Sequence, residues 1–341
     1  MALSKKDLVQ LTKIAISASP STQYSYSFGE EKFSYEDLNE TLRKELREIA
    51  GTYSLYRENK NLIFSLIEET IDDVLPKKVL EQYGQFAEVK TFNQGDRAVF
   101  TQRITTAAKR RAKQFVTKVG LAGVYEVFKL DGKSYEIQTS AYGGAAQIGF
   151  EEFLDGRVDI ADVYEIIMEG LDECVYLEIE RALIGAVTEL QDANKSTQTG
   201  FVESEMDRLL SVADSYGQST IYCTYEFAAT MVPDEGWRSN DMKDQRWNNG
   251  YLANYKGHNV VVLNQSYEDE TNSTKVINPA YAWIIPGGSD KPVKIAFEGQ
   301  AIVREFENRD YSREIQVYKK MGVGAIITNN ICVYINSSLT R

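Results

Sequence analysis

An α+β fold is predicted for this chain on three observations. Ile160, Val163, Ile167, Leu171, Val175, Ile179 and Leu183 recur at helical spacing and form one apolar stripe along an acidic helix expected over 160–191. Three β-patterned runs close the chain, Ile302-Val-Arg-Glu-Phe, Glu314-Ile-Gln-Val-Tyr and Ile331-Cys-Val-Tyr-Ile, and they are expected to pair as long strands beside that helix. Between residues 97 and 133 lie nine Lys and Arg against two acids, a net +7, so the remainder of a −12 chain carries −19. A segment charged opposite to its own body suits a subunit that lays this segment on the acidic surface of an identical neighbour.

The elements follow in order. Ser4 can cap a short helix that places Leu8, Leu11 and Ala15 on one side and breaks at Ser19-Pro20. The stretch 21–33 is rich in Ser and Tyr and shows no clear period. Ser34 and Asp37 resemble a capping box with Asp in place of the usual Glu, and Leu38, Leu42, Leu46 and Ile49 follow on one face. A second helix is expected from Leu55 to Val74, ending before Pro76, because proline lacks the N–H that a helix interior needs. Short alternating runs over 98–104 and 124–130 predict a long hairpin bridged by Lys109-Arg-Arg-Ala-Lys113. Asp131-Gly132 signals a tight turn into a β stretch over 135–147. The helix over 160–191 would span about 50 Å at its usual rise. A polar loop over 191–200 then leads to a mixed α/β segment ending near Gly299.

Composition excludes several classes of function. No apolar run approaches the roughly 20 residues that cross a bilayer, and the N-terminus lacks a secretory pattern, so a cytoplasmic site of synthesis and no membrane partner are expected. Cys174, Cys223 and Cys332 are odd in number and widely spaced, which predicts buried thiols rather than a disulfide framework or a zinc site. The acidic body is a poor ligand for DNA phosphate. Gly132-Lys133-Ser134 mimics the end of a phosphate-binding loop, but residue 127 is Val where that motif needs Gly, and the flanks read as strand, turn, strand. Gly322-Val-Gly lacks a third glycine and is expected to mark a bend or bulge. His258, the single histidine, sits in a turn before a strand and predicts a structural role. The acid pairs Glu151-Glu152 and Glu268-Asp269-Glu270 read as solvated surface. No catalytic residue, cofactor or metal is therefore expected, and the chain is not predicted to be an enzyme.

A family resemblance rests on the order of several motifs. After the basic segment come Tyr135-Glu-Ile-Gln-Thr-Ser-Ala-Tyr-Gly-Gly-Ala-Ala-Gln-Ile-Gly, then Phe150-Glu-Glu-Phe-Leu-Asp-Gly, then a long helix closing on Glu180-Arg-Ala-Leu-Ile-Gly185. Downstream stand Tyr255-Lys-Gly-His-Asn-Val-Val-Val-Leu263 and Asn278-Pro-Ala-Tyr-Ala-Trp-Ile-Ile285. Over about 75–338 this resembles the major capsid proteins of tailed bacteriophages, the Hong Kong ninety-seven-type fold.

The resemblance implies an N-terminal arm with helices over 1–78 and an extended β-hairpin loop with its return strand over 79–150. It further implies a peripheral domain with a spine helix over 151–200, an axial domain over 201–299, and long antiparallel C-terminal strands of the peripheral domain over 300–341. It also implies a shell of pentamers and hexamers around double-stranded DNA, in a virion assembled in the host cytoplasm. Expected partners are other copies of the chain, packaged DNA held non-specifically, and scaffolding, portal and decoration proteins. No large helical scaffold region precedes the arm, which predicts a separate scaffolding protein or none.

Within that picture Arg103, Lys109, Arg110, Arg111, Lys113 and Lys118 are the expected intersubunit contacts. Phe115 is the one aromatic residue interleaved among them, which favours salt bridging between subunits over nucleic-acid contact. Some family members join a loop Lys to a neighbour's Asn. Lys109, Lys113 or Lys118 with Asn329 or Asn330 would be the material here, but nothing in the sequence singles out such a set. The alternatives are an encapsulin-type nanocompartment shell, which shares the fold, and an intracellular hydrolase built on a carboxylate pair.

Overall fold

The computed structural model describes residues 5–17, 26–28, 31–102, 133–148, 160–232, 239–267, 269, 271–288, 291–307, 309, 313–326 and 330–341. It is an α+β fold, and the chain divides into two compact units. The first comprises residues 1–98, 137–178 and 295–323, the second 99–136, 179–294 and 324–341.

In the first unit, α1 (Lys5–Ser17), α2 (Tyr35–Ala50) and α3 (Tyr53–Tyr83) pack on one another. Leu8 and Val9 meet Leu66, with Ile49 against them, and Leu8 and Leu11 of the predicted face are buried. Ser4 lies outside the described residues. Between α1 and α2, where no period is legible, β1 (Tyr26–Phe28) and β2 (Glu31–Phe33) form a small antiparallel pair. The capping box of α2 is present: Asp37 N–H donates to Ser34 Oγ at 3.2 Å, and Ser34 N–H donates back to Asp37 Oδ2.

The expected stop before Pro76 does not occur, because α3 runs on to Tyr83 with Pro76 inside it. Ile63, Leu66, Ile67, Ile71, Val74 and Leu75 are buried before the proline, and Val79 and Tyr83 after it. A proline costs a helix interior about 3 kcal/mol, whereas each fully buried aliphatic side chain returns about 1.5–3 kcal/mol. Packing on both sides therefore carries the helix through.

The sheet of this unit has the order β3-β12-β13-β6, from β3 (Ala87–Phe92), β12 (Val293–Glu307), β13 (Arg313–Ala325) and β6 (Ser140–Ile148). β6 and β13 pair antiparallel from Arg313↔Ile148 to Met321↔Ser140.

The long helix α4 (Ile160–Ala186) ends five residues before the expected Gln191. Its last turn tightens into a 3-10 turn at Val187–Glu189. Ile167, Leu171, Val175, Ile179 and Leu183 are all buried, so the predicted stripe is the inward one. Within the first unit Tyr176 stacks on Tyr83 at 5.6 Å, and Lys78 pairs with Asp172 at 3.2 Å.

The second unit holds a mixed sheet ordered β7-β14-β11-β8-β10-β9. Its strands are β7 (Lys195–Gln198), β8 (Ser219–Thr224), β9 (Asn254–Tyr255), β10 (His258–Leu263), β11 (Tyr281–Pro286) and β14 (Cys332–Asn336). Two expectations are corrected here. The polar stretch 191–200 is not all loop, since β7 pairs parallel with β14. For the same reason β14 does not join β12 and β13, but lies between β7 and β11. A strand's partner is a long-range choice that its own alternation does not encode.

The core of this unit gathers Met206, Leu209 and Leu210 of α5 (Glu203–Asp214), Phe227 of α6 (Tyr225–Thr230), and Ile221, Ile284 and Tyr334 from the sheet. Both Cys223 and Cys332 are buried, and burial pushes each thiol up to about 12, while Cys174 is half-buried. Cys223 and Cys332 are inert packing residues, as expected, whereas Cys174 is not the fully buried thiol that was expected.

Candidate intersubunit site at the root of the basic segment

The basic segment leaves and returns through one ladder: β4 (Ala98–Gln102) is hydrogen-bonded to β5 (Lys133–Ile137). All six predicted contact residues, Arg103, Lys109, Arg110, Arg111, Lys113 and Lys118, lie outside the described residues, as do the expected strand over 124–130 and the turn at Asp131-Gly132. The structure does describe the residues that flank the segment on both sides. Lys133-Ser134 begins β5 and precedes no helix, so the phosphate-loop mimic has no helix N-terminus with which to hold a phosphate.

Glu298 of β12 fastens the two flanks of this segment to each other. Its Oε1 accepts from the N–H of Gly95 at 3.0 Å, on the chain entering the segment. Its Oε2 accepts from the hydroxyl of Thr139, just after the segment has returned. Lys320 of β13 adds a third contact, Nζ to Oε1 at 3.3 Å. The Thr139 hydroxyl first, then the Gly95 amide and the Lys320 ammonium, hold the Glu298 carboxyl below its usual range.

Two glycines make room at this point. Gly299 has φ +66, a conformation that glycine adopts at no steric cost, and a Cβ there would stand 3.2 Å from Gln94. At Gly322 a Cβ would meet the Gln138 carbonyl oxygen at 2.4 Å. Gly322 is thus required by a close approach inside β13, not by the expected bend.

Beside the clamp, Lys319 is almost fully buried and donates to Asp72 Oδ1 of α3 at 2.5 Å and to the Gly299 carbonyl at 2.6 Å. Asp72 also accepts from the Ala301 N–H at 2.8 Å, and Glu68, one turn earlier in α3, from the Val303 N–H at 2.8 Å. Two helix carboxylates thus occupy backbone donors of β12. Sequence reasoning missed Gly95, Thr139, Glu298, Lys319 and Asp72. One signal was available: Lys319 falls in step with Ile315, Val317 and Met321, the inward face of β13.

The remaining candidates are structural. His258 Nε2 lies 3.3 Å from Asp214 Oδ2, and Nδ1 lies 3.1 Å from Ser219 Oγ and 3.2 Å from the Ser219 carbonyl. Ser219 is itself buried, so no nucleophile is presented. The turn before His258 is a two-residue hairpin, Lys256 (φ 47) and Gly257 (φ 91). The Lys256 ammonium pairs with Glu203 and Asp207, each at 2.5 Å.

Asp269 is a loop organiser, accepting from the N–H groups of Ser273 and Thr274 at 2.9 and 3.0 Å. The Ser273 and Thr271 hydroxyls chiefly hold its carboxyl well below the usual range. Glu151, Glu152, Glu268, Glu270 and Asn329 lie outside the described residues. Among the described residues there is no metal-holding cluster, and no helix is long and apolar enough to cross a membrane.

The family model described as "SPbeta prophage-derived putative capsid protein YonB" matches residues 17–335. The capsid structure of the cyanophage P-SCSP1u aligns with TM-score 0.50 at 9% identity, covering 74% of this chain and 87% of that one, which shows a shared fold. The Microbacterium phage Oxtober96 structure gives TM-score 0.49 at 8% identity over 73% and 89% of the two chains. The SrpI encapsulin of Synechococcus elongatus gives 0.45 at 10% identity over 72% and 84%. No curated protein sequence matches the chain.

Proposed function

The chain belongs to the family of the SPbeta prophage-derived capsid protein YonB, and from that premise we propose that it is the subunit of an icosahedral phage shell, built as pentamers and hexamers around double-stranded DNA. It is a capsid protein with the major capsid fold, and self-association is its function. The family is a structural one. The encapsulin alternative is the weaker, because the matched family is a prophage capsid family.

In this proposal residues 103–132 reach an identical neighbour, and Arg103, Lys109, Arg110, Arg111, Lys113 and Lys118 meet its acidic surface. The observation that carries it is the root. The two flanks of a +7 segment are tied together by Glu298 and leave through one ladder, on a body of net −19. Exposed ion pairs are worth about 0–1 kcal/mol singly, but a shell repeats them at every interface. The four-stranded sheet with α4 is assigned to the peripheral domain and the six-stranded sheet to the axial domain. Scaffolding, portal and decoration proteins, non-specific contact with DNA, and assembly in the host cytoplasm complete the proposal.

The test is electron microscopy of the purified full chain, expressed alone and together with the scaffolding proteins of a related prophage. Closed shells of uniform diameter are expected in at least one of the two. A chain that stays monomeric in both refutes the shell.

A further inference from the structure

The basic segment leaves the four-stranded sheet at one edge and returns to it at the other. β3, which precedes the segment, and β6, which follows it, are the two outer strands of the order β3-β12-β13-β6. Neighbouring strands lie about 4.8 Å apart, so three spacings separate these two strands by about 14 Å. β4 and β5, which carry the chain onward, are hydrogen-bonded to each other and stand one spacing apart. The two flanks therefore converge within a few residues, and they do so on Glu298 of β12 and Lys320 of β13, the two inner strands.

Each connection is tight. On entry, the Asp96 N–H donates to the Asn93 carbonyl at 3.1 Å and Asn93 Nδ2 to Asp96 Oδ2 at 3.1 Å, which closes a turn with Gly95 (φ +87) at its third position. Nothing crowds a Cβ at Gly95, so the backbone conformation alone asks for glycine there. The Gly95 N–H points out of the turn, to Glu298. On exit, Gln138 and Thr139 are all that separates β5 from β6. The Gln138 carbonyl lies against Gly322, and the Thr139 hydroxyl donates to the second oxygen of Glu298. One carboxylate thus holds both turning points.

We propose that Glu298 and Thr139 are positioning residues for self-association: by joining the two connections they fix the direction in which the basic segment leaves its own subunit, and with it the angle at which neighbouring subunits meet. The inference rests on the shell and on the role of the segment proposed above, and adds what aims the segment. Attraction between a basic segment and an acidic body draws copies together but does not fix the angle between them. A shell closes only when the same rotation repeats at every contact, and a rotation that varies gives open or irregular polymers. A root fixed before contact also spares the ordering that association would otherwise have to supply. The clamp therefore decides what is built, beyond its contribution to the stability of the subunit.

The test uses the full chain, under whichever of the two conditions above gives wild-type shells, and compares wild type with Thr139→Val, Thr139→Ser, Glu298→Gln and Ser34→Ala. Valine keeps the shape of Thr139 and removes its hydroxyl, whereas serine keeps the hydroxyl. Ser34→Ala removes the cap of α2 and so lowers stability away from the root. Urea denaturation is expected to show a lower midpoint in Thr139→Val, Glu298→Gln and Ser34→Ala. By electron microscopy, Thr139→Ser and Ser34→Ala are expected to give closed shells of the wild-type diameter. Thr139→Val and Glu298→Gln are expected to lose such shells at least tenfold in yield and to give open or irregular polymers instead. Should Thr139→Val fail to fold, Glu298→Gln decides on the same readout. Uniform shells at wild-type yield from the folded root variants overturn this inference and leave the shell standing. An equal loss in Ser34→Ala reduces the effect to stability, and an equal loss in Thr139→Ser removes the hydroxyl from the argument; either overturns it. Wild type that forms no shell under either condition overturns the shell, and this inference with it.

Discussion

Glu298 shows how much one side chain can organise. It is a strand residue whose two carboxylate oxygens are shared among an amide that precedes the basic segment, a hydroxyl that follows it, and a lysine of the next strand. Because its carboxyl is held below its ordinary value of 4.5, the sign of its pH linkage is fixed. Its stabilising contribution is present in full above that value and is lost as pH falls through the lower folded one. Glu298→Gln removes the charge and keeps the shape. The variant is expected to be less stable than wild type at neutral pH, by a constant margin down to about one unit above 4.5, and the margin should close as the pH drops further. Urea denaturation at a series of pH values measures it. A gap that persists undiminished at pH well below 4.5 would show that the charge is not what holds the flanks together. Lys319 teaches a related lesson. A charge on the inward face of a strand was visible in the sequence, but its partner Asp72 lies 247 residues away, and no local pattern names it.

At the scale of the element, what was legible is what periodicity encodes. The stripe on α4 and the capping box of α2 both depend on residues within a few positions of one another, and the structure shows the capping box and the stripe from Ile167 to Leu183. Boundaries were less secure where local chemistry and packing disagree. Pro76 argues for a stop, yet Val79 and Tyr83 beyond it are buried and keep α3 going. Strand partners were least legible, since β14 could be recognised as a strand but not assigned to β7 and β11. The root of the candidate site was missed for the same reason, because Gly95, Thr139 and Glu298 meet only through the fold. Val175, fully buried at the middle of the α4 stripe, tests the stripe directly. Val175→Asp places an unpaired charge there, at a cost of about 3–5 kcal/mol. Insoluble protein, or a large fall in the denaturation midpoint with no shells, is expected. Shells of normal yield and stability would mean that another face of α4 bears the packing.

For the whole molecule the decisive quantity is charge asymmetry, a +7 segment on a −19 remainder. Opposite fields favour contact between the segment of one copy and the body of another, which is the arrangement proposed above. Replacing Lys109, Arg110, Arg111 and Lys113 with Glu turns that segment from +7 to −1, a change of two charges at each of four positions. The variant is expected to give the same circular dichroism as wild type. It should fail to assemble, because like charges now face each other across the contact. Wild-type assembly should weaken with added salt, as the screening length shortens to about 3 Å at 1 M. Light scattering against salt, with circular dichroism of the variant, measures both. Shells formed as efficiently by the variant as by wild type, with affinity for DNA lost, would make the cluster a nucleic-acid site and would remove it from the subunit contact.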